Sequence, residues 1–313
     1  MTIDFGAHLY PESVYPPAIK EGPMGELLGE RMSNPDRVQS IYDAADIDQA
    51  VLSQPFYMGL ANVDEVRRAN DALIDTVKSY ERFYGLAAIP VAAGGKQAAE
   101  EFERALNRGY HGGAVETKTD SIELVDKELE PVFDVAQRYD APILVHPKLD
   151  ESLHPTVLDD TYLLNAIFGR EAALSESICK IIHEGILDDY PGLNLVFHHL
   201  GGNIASMLGR VSLQLDPGRW PGQESVVSYD EFKHYLESRI YLDTSGFFGY
   251  ERPLRATFEE VPPSQVLFGS DYPFEPRNNG ELAQLNNSIG ETLSRADAKR
   301  VRSKNALELL VNT

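Results

Sequence analysis

The feature that most constrains this chain is an alternation repeated along its length. A short, β-prone apolar run ends in a polar or Gly/Pro-marked tip, and a longer amphipathic stretch follows. The runs are Met1–Phe5, Asp48–Ser53, Phe83–Ile89, Gly113–Val115, Pro142–Val145, Asn194–Phe197, Ile240–Leu242 and Gln265–Phe268. They read as nearly continuous apolar segments, as strands covered on both faces do. Between them, Asp64–Ser79 places Val66, Ala69, Leu73 and Val77 on one helical face, and Asp126–Tyr139 does the same with Leu129, Val132, Phe133 and Ala136. Ala296–Val311 reads as a closing helix. Strands alternating with helices predict a parallel sheet with helical crossovers. Eight strands in 313 residues predict an α/β fold of the (β/α)8 TIM barrel type, one domain over 1–313. An open doubly wound sheet is the alternative, but no glycine fingerprint opens the first helix, which counts against its dinucleotide-binding form. Two irregular stretches, near 11–35 and 216–228, read as insertions at the barrel mouth, able to cover a site.

The charge balance excludes one class of partner. Lys and Arg number 28 against 49 Asp and Glu, a net charge of −21. Nucleic-acid binding needs a basic patch. Such acidity suits either a halophilic source, where high salt screens the repulsion, or an ordinary acidic enzyme. Cys179 is the only cysteine, so no intrachain disulfide forms, which fits a reducing compartment. Met1–Tyr10 holds no basic segment of the secretory kind. Apolar runs such as Ala141–Val145 are far below transmembrane length. The expectation is a cytoplasmic protein with neither membrane nor nucleic-acid partners.

Chemistry concentrates at the ends of the predicted strands. His8 follows the first, His146 ends the fifth, His198 and His199 end the sixth, and Asp271 ends the eighth. In a barrel these ends converge on one mouth. Imidazole and carboxylate together suit a divalent transition metal such as zinc. Taken singly, a strand-end His is more often a packing residue, and an Asp before Tyr-Pro a turn former. Their joint placement is what points to a site.

These residues, with their surroundings, resemble the amidohydrolase-related family (amidohydrolase 2), in the branch of aminocarboxymuconate semialdehyde decarboxylase and related aromatic-acid decarboxylases. The segments that carry the resemblance are Arg37–Ser53, Arg68–Ala72, Arg82–Leu86, Gly185–Pro191, His199–Gly202, Gly209–Val211 and Gly269–Phe274. Their order and spacing span nearly the whole chain. The resemblance implies a metal-dependent hydrolase type of barrel with one divalent metal, commonly zinc, and a homodimer. It places His8, His146 and Asp271 at metal-ligand positions and His199 at the catalytic histidine. Asp271 would double as a proton carrier, and Arg210 would contact a substrate carboxylate. His198, the neighbour of His199, is expected to point elsewhere, since adjacent strand residues face opposite sides.

The chain departs from this pattern in one respect. The family opens with Asp-x-His-x-His, or with Glu at the first ligand position, whereas this chain reads Asp4-Phe-Gly-Ala-His8. Gly6 has no side chain to coordinate with. Three ligands and a water can still hold catalytic zinc, and Glu116 is a candidate replacement in space. Lys118 is expected to be solvated; His111, His154, His183 and His234 structural or exposed; Tyr272 and Phe274 pocket-lining or packing.

Two enzyme readings follow, both for a small unsaturated or aromatic carboxylic acid. One is a non-oxidative decarboxylase (carboxy-lyase), with His199 and Asp271 managing the proton. The other is a hydrolase in which metal-bound water is activated. A catalytically decayed barrel serving as a binding or structural protein is the alternative, supported by Gly6 alone.

Overall fold

A computed structural model describes residues 1–147, 162–202, 204–246, 251–276 and 278–310. Among the described residues, eight parallel strands form the sheet: β1 Ile3–His8, β2 Gln49–Ser53, β3 in two segments Phe83–Gly85 and Ala87–Ala88, β4 Gly113–Glu116, β5 Ile143–His146, β6 Leu195–Phe197, β7 Ile240–Asp243 and β8 Val266–Leu267. Each pairs with the next in sequence. The Leu86 amide donates to Leu52 O at 2.9 Å across the interruption in β3. The ring closes between β8 and β1. There the Phe5 amide donates to Phe268 O at 2.8 Å, the Asp271 amide to Gly6 O at 2.7 Å, and Ala7 bridges Tyr272. The (β/α)8 barrel expected from the alternation is therefore present, and the open sheet is not.

The two-sided burial of the strands explains their composition. Val51, Ala88, Ala114, Leu144, Val196 and Leu267 belong to one buried cluster, the inner layer. Their strand neighbours Leu52, Ile89, Val115, Val145, Phe197 and Phe268 belong to another, shared with the helices. Alternation along each strand sends successive side chains to opposite faces, so both parities are apolar. The helices that follow the strands outside are α1 Pro35–Asp43, α2 Val63–Lys78, α3 Gly95–Asn107, α4 Glu130–Tyr139, α5 Arg170–His183, α6 Ile204–Leu215, α7 Glu251–Glu260 and α8 Asn279–Thr292, and a further helix, Tyr229–Ser238, leads into β7. In α2, Val66, Ala69, Leu73 and Val77 are all buried, and the Asn62 side chain caps its first turn by accepting from the Glu65 amide at 3.2 Å. The closing helix is broken by a wider turn, Arg300–Lys304, between Arg295–Lys299 and Asn305–Leu310. Its expected end, Val311, lies outside the described residues.

The irregular 11–35 stretch carries short helices at Pro17–Lys20 and Pro23–Leu28. Met24 and Leu27 from it stand at the mouth of a cavity above the barrel. The 216–228 stretch does not reach that cavity; Asp216, Pro217 and Ser228 line a separate surface groove. Among the described residues no helix is long and apolar enough to cross a membrane.

Candidate active site

Strand parity decides which tips face inward. Val196 is in the inner layer, so His198, two residues on, faces inward as well. Leu144 and His146 stand in the same relation. On β1 the register slips by one residue between Asp4 and Ala7, a bulge that resets the alternation. Phe5 remains in the inner layer while Ala7 joins the outer one, so His8 turns inward. Asp271 follows β8 with φ of +58°.

The result is a buried cluster of His8, His146, His198 and Asp271. One ligand-type atom from each lies within 4.8 Å of every other. Ligands at about 2.1 Å from a common ion are at most about 4.2 Å apart, so binding an ion would draw the group in by about half an ångström. His8 Nε2 is 3.0 Å from Asp271 Oδ1, and His8 Nδ1 is 2.9 Å from Ser53 Oγ. His146 Nδ1 donates to Pro147 O at 2.7 Å. His198 Nδ1 donates to Asp243 Oδ2 at 2.5 Å, leaving Nε2 buried without a hydrogen bond and 3.5 Å from Asp271 Oδ1. On each imidazole Nδ1 is held by an oxygen partner, the arrangement that presents Nε2 to a metal. These donors fit a divalent cation.

His198 corrects the expectation that it points elsewhere. The parity rule was sound, but it applied to His198 and not to His199. β6 ends at Phe197, and His198 keeps the inward phase. His199 leaves the strand at φ +53°, and that turn brings a second imidazole to the same void. The two rings stack at 4.8 Å between centroids. Gly246, at φ +75°, lies so close to His199 that an added Cβ would stand 2.6 Å from the ring. His199 Nδ1 donates to Glu171 Oε1 at 2.9 Å, and Nε2 is 3.6 Å from Asp271 Oδ2.

The electrostatics separate the histidines. Burial pushes His146 well below its ordinary pKa, with His198 and His8 adding to the effect. Burial also lowers His8, partly offset by Asp271. Burial would lower His199 too, but Glu171 and Asp271 outweigh it and hold it well above the usual value. Burial opposes the charge on Asp271, yet the imidazoles of His198, His199 and His8 around it, with His8 hydrogen-bonded to it, keep its carboxyl well below the usual range. For His198 the carboxylate of Asp243 outweighs burial and raises it. A metal on Nε2 would take the place of that proton. These directions favour neutral His146 and His8, as ligands must be, and a protonated His199.

The remaining expectations fall outside the cluster. Glu116 ends β4 but its carboxylate lies toward Gly59, so it does not fill the position left by Gly6. Lys118 pairs with Glu123 at 3.7 Å. Arg210 is exposed on α6 and is not among the described residues lining the cavity. His111 sits edge-on to Tyr84, His183 accepts from the Val227 amide at 3.2 Å, and His234 is exposed. His154 lies outside the described residues. Tyr272 is buried packing, whereas Phe274 lines the cavity.

That cavity measures about 580 Å³, within the range of small-molecule sites. His199 and Asp271 form its polar floor, Phe56, Phe274 and Ile167 its apolar walls, and Arg170 and Glu171 one flank. Glu171, Asp243 and Arg170 were not singled out in the sequence. Asp243 ends a strand, as Asp271 follows one, and the strand-end criterion would have found it. Glu171 and Arg170 open a helix, where no strand-end rule reaches.

Comparison with known proteins places this geometry. A family model described as Amidohydrolase matches residues 3–311. The chain is 28% identical over 270 residues to gamma-resorcylate decarboxylase of Rhodococcus jostii, covering 79% of this chain and 76% of that protein. It is 27% identical over 301 residues to 2-amino-3-carboxymuconate-6-semialdehyde decarboxylase of Dictyostelium discoideum, covering 91% and 80%. Its fold matches a dihydroxybenzoic acid decarboxylase from Polaromonas sp. JS666, solved with manganese and 2-nitroresorcinol, at a TM-score of 0.85 and 22% identity, over 99% and 96% of the two chains.

Proposed function

The chain belongs to the amidohydrolase family, and on that premise we propose that it is a metal-dependent, non-oxidative decarboxylase of a small aromatic carboxylic acid. The observation that carries the reading is the His199–Asp271 pair on the floor of an apolar-walled cavity, with Asp271 shared with the ligand cluster. The decarboxylases of aromatic and unsaturated acids among its relatives favour this reading over hydrolysis.

His8, His146 and Asp271 would hold the metal. When bound, a divalent cation there supplies positive charge that draws in substrate oxygens and stabilises charge developing on them. Zinc suits the donors, and manganese is the ion in the dihydroxybenzoic acid decarboxylase structure. Phe56, Phe274 and Ile167, which line the cavity, would pack against the ring. Arg170, on the cavity flank, would attract the carboxylate. The bond from ring carbon to carboxylate then breaks. Carbon dioxide leaves, and the electron pair stays on the ring carbon, which takes a proton. His199 holds that proton at Nε2, with Glu171 fixing the other ring nitrogen, and Asp271 Oδ2 stands next to it as the relay. The family resemblance adds a homodimer.

Turnover of a panel of hydroxylated benzoates in deuterium oxide tests this. The expected result is carbon dioxide release with one deuterium at the carbon that bore the carboxylate. Ring or amide opening without carbon dioxide would instead establish the hydrolase.

A further inference from the structure

We propose that His198 is a metal ligand in this chain, and that residue 6 is glycine because the His198 imidazole occupies the space a side chain there would fill. The proposal rests on the metal-dependent reading above and assigns one further donor to the same site.

The first observation is steric. A Cβ added at Gly6 would stand 2.6 Å from His198 Cε1, 3.2 Å from its Nδ1 and 3.0 Å from Asp243 Oδ2. Gly6 is not among the residues with positive φ, so its backbone conformation is open to any residue. Space is therefore what calls for glycine here. The second observation is that the ring has nowhere to retreat. His198 and Asp243 are fully buried. Asp243 Oδ1 in turn accepts from the His199 amide at 3.2 Å, the Ser245 amide at 3.0 Å and the Ser245 hydroxyl. A side chain at residue 6 must displace an imidazole fixed by that network. The third observation is the orphaned Nε2. It is buried without a hydrogen bond, and it stands within the group formed with His8, His146 and Asp271. A buried polar atom without a partner is costly, and a cation at the cluster would satisfy it. A carboxylate behind the ring fixes the nitrogen that faces the metal. The first strand thus contributes one imidazole, His8, and the sixth contributes the donor that residue 6 does not.

The test uses chelator-stripped full-length protein titrated with manganese(II). Pulsed electron paramagnetic resonance counts the imidazole nitrogens on the ion, and calorimetry gives the affinity. The wild type is expected to show three imidazole couplings, from His8, His146 and His198. His198→Ala should show two and bind at least about 100-fold more weakly, at or beyond the upper end of what removing a supporting residue costs. Gly6→Ala, which removes no donor, should lose the same coupling. Two couplings in the wild type, with unchanged affinity in His198→Ala, would overturn the proposal while leaving a metal-dependent enzyme in place. No manganese binding by the wild type would instead overturn the metal-dependent reading itself, and the proposal with it. If Gly6→Ala does not fold, the double variant Gly6→Ala/His198→Gly relieves the clash and is expected to fold and show two couplings. Failure of the double variant to fold where His198→Gly alone folds would show that glycine serves something other than the ring, which overturns the steric half of the proposal.

Discussion

Glu171 accepts a hydrogen bond from His199 Nδ1 at 2.9 Å, so the far nitrogen of that ring faces Asp271 with its proton in place. The carboxylate comes from the first turn of α5 and the imidazole from the turn after β6, elements that meet only in the folded barrel. A buried acid behind a buried histidine fixes both the orientation and the charge of the ring.

Glu171→Gln keeps the shape of that contact and removes its charge. The expected outcome is a fall in kcat of about 10–100-fold, the range for supporting residues behind a catalytic group, with KM little changed. Steady-state kinetics on a turned-over hydroxybenzoate checks it. An unchanged kcat would remove Glu171 from the proton path.

Asp4 gives a pH dependence of stability. Its carboxyl is fully buried, and burial pushes its pKa up to about 6, even though Ser270, Tyr42 and Gly6 hydrogen-bond to it. A carboxyl whose pKa is higher folded than unfolded binds more protons in the native state, so this group's contribution to stability falls as pH rises from about 4 to about 6. Asp4→Asn mimics the protonated form. Between pH 4.5 and 7 the wild type should lose about 2 kcal/mol relative to Asp4→Asn, at 1.36 kcal/mol per pH unit. Urea denaturation of both proteins across that range is the measurement, and a constant difference would contradict it.

The surface charge predicts a response to salt. With 49 acidic and 28 basic residues, repulsion among carboxylates is strong at low ionic strength, and molar salt shortens the screening length to about 3 Å. Under the halophilic reading, Tm should rise substantially from low to molar potassium chloride. A Tm that does not move would leave an acidic enzyme of ordinary ionic habitat.

Most of the barrel was legible in the sequence because two-sided burial leaves a plain record: Leu144 and Val145, or Val196 and Phe197, are apolar at both parities. The strand-end rule brought His8, His146, His199 and Asp271 to one void for the same reason. His198 was misplaced because a sequence does not mark the residue at which a strand stops. The turn at His199, with φ of +53°, allows two consecutive histidines to face one cavity. The β1 bulge is equally silent, and it is what turns His8 inward. Glu171 and Arg170 act from a helix start, where acidic and basic residues are common, so nothing local distinguished them.

If this chain removes carbon dioxide from an aromatic acid with a metal held by His8, His146 and Asp271, that release depends on the ion. The most direct measurement is carbon dioxide release from 2,6-dihydroxybenzoate by chelator-stripped protein before and after manganese or zinc is restored. The expected result is release that is lost with the metal, returns on its re-addition, and is abolished by His146→Ala under both conditions. Equal release with and without metal, or none from any hydroxybenzoate by protein loaded with one ion per chain, would contradict it.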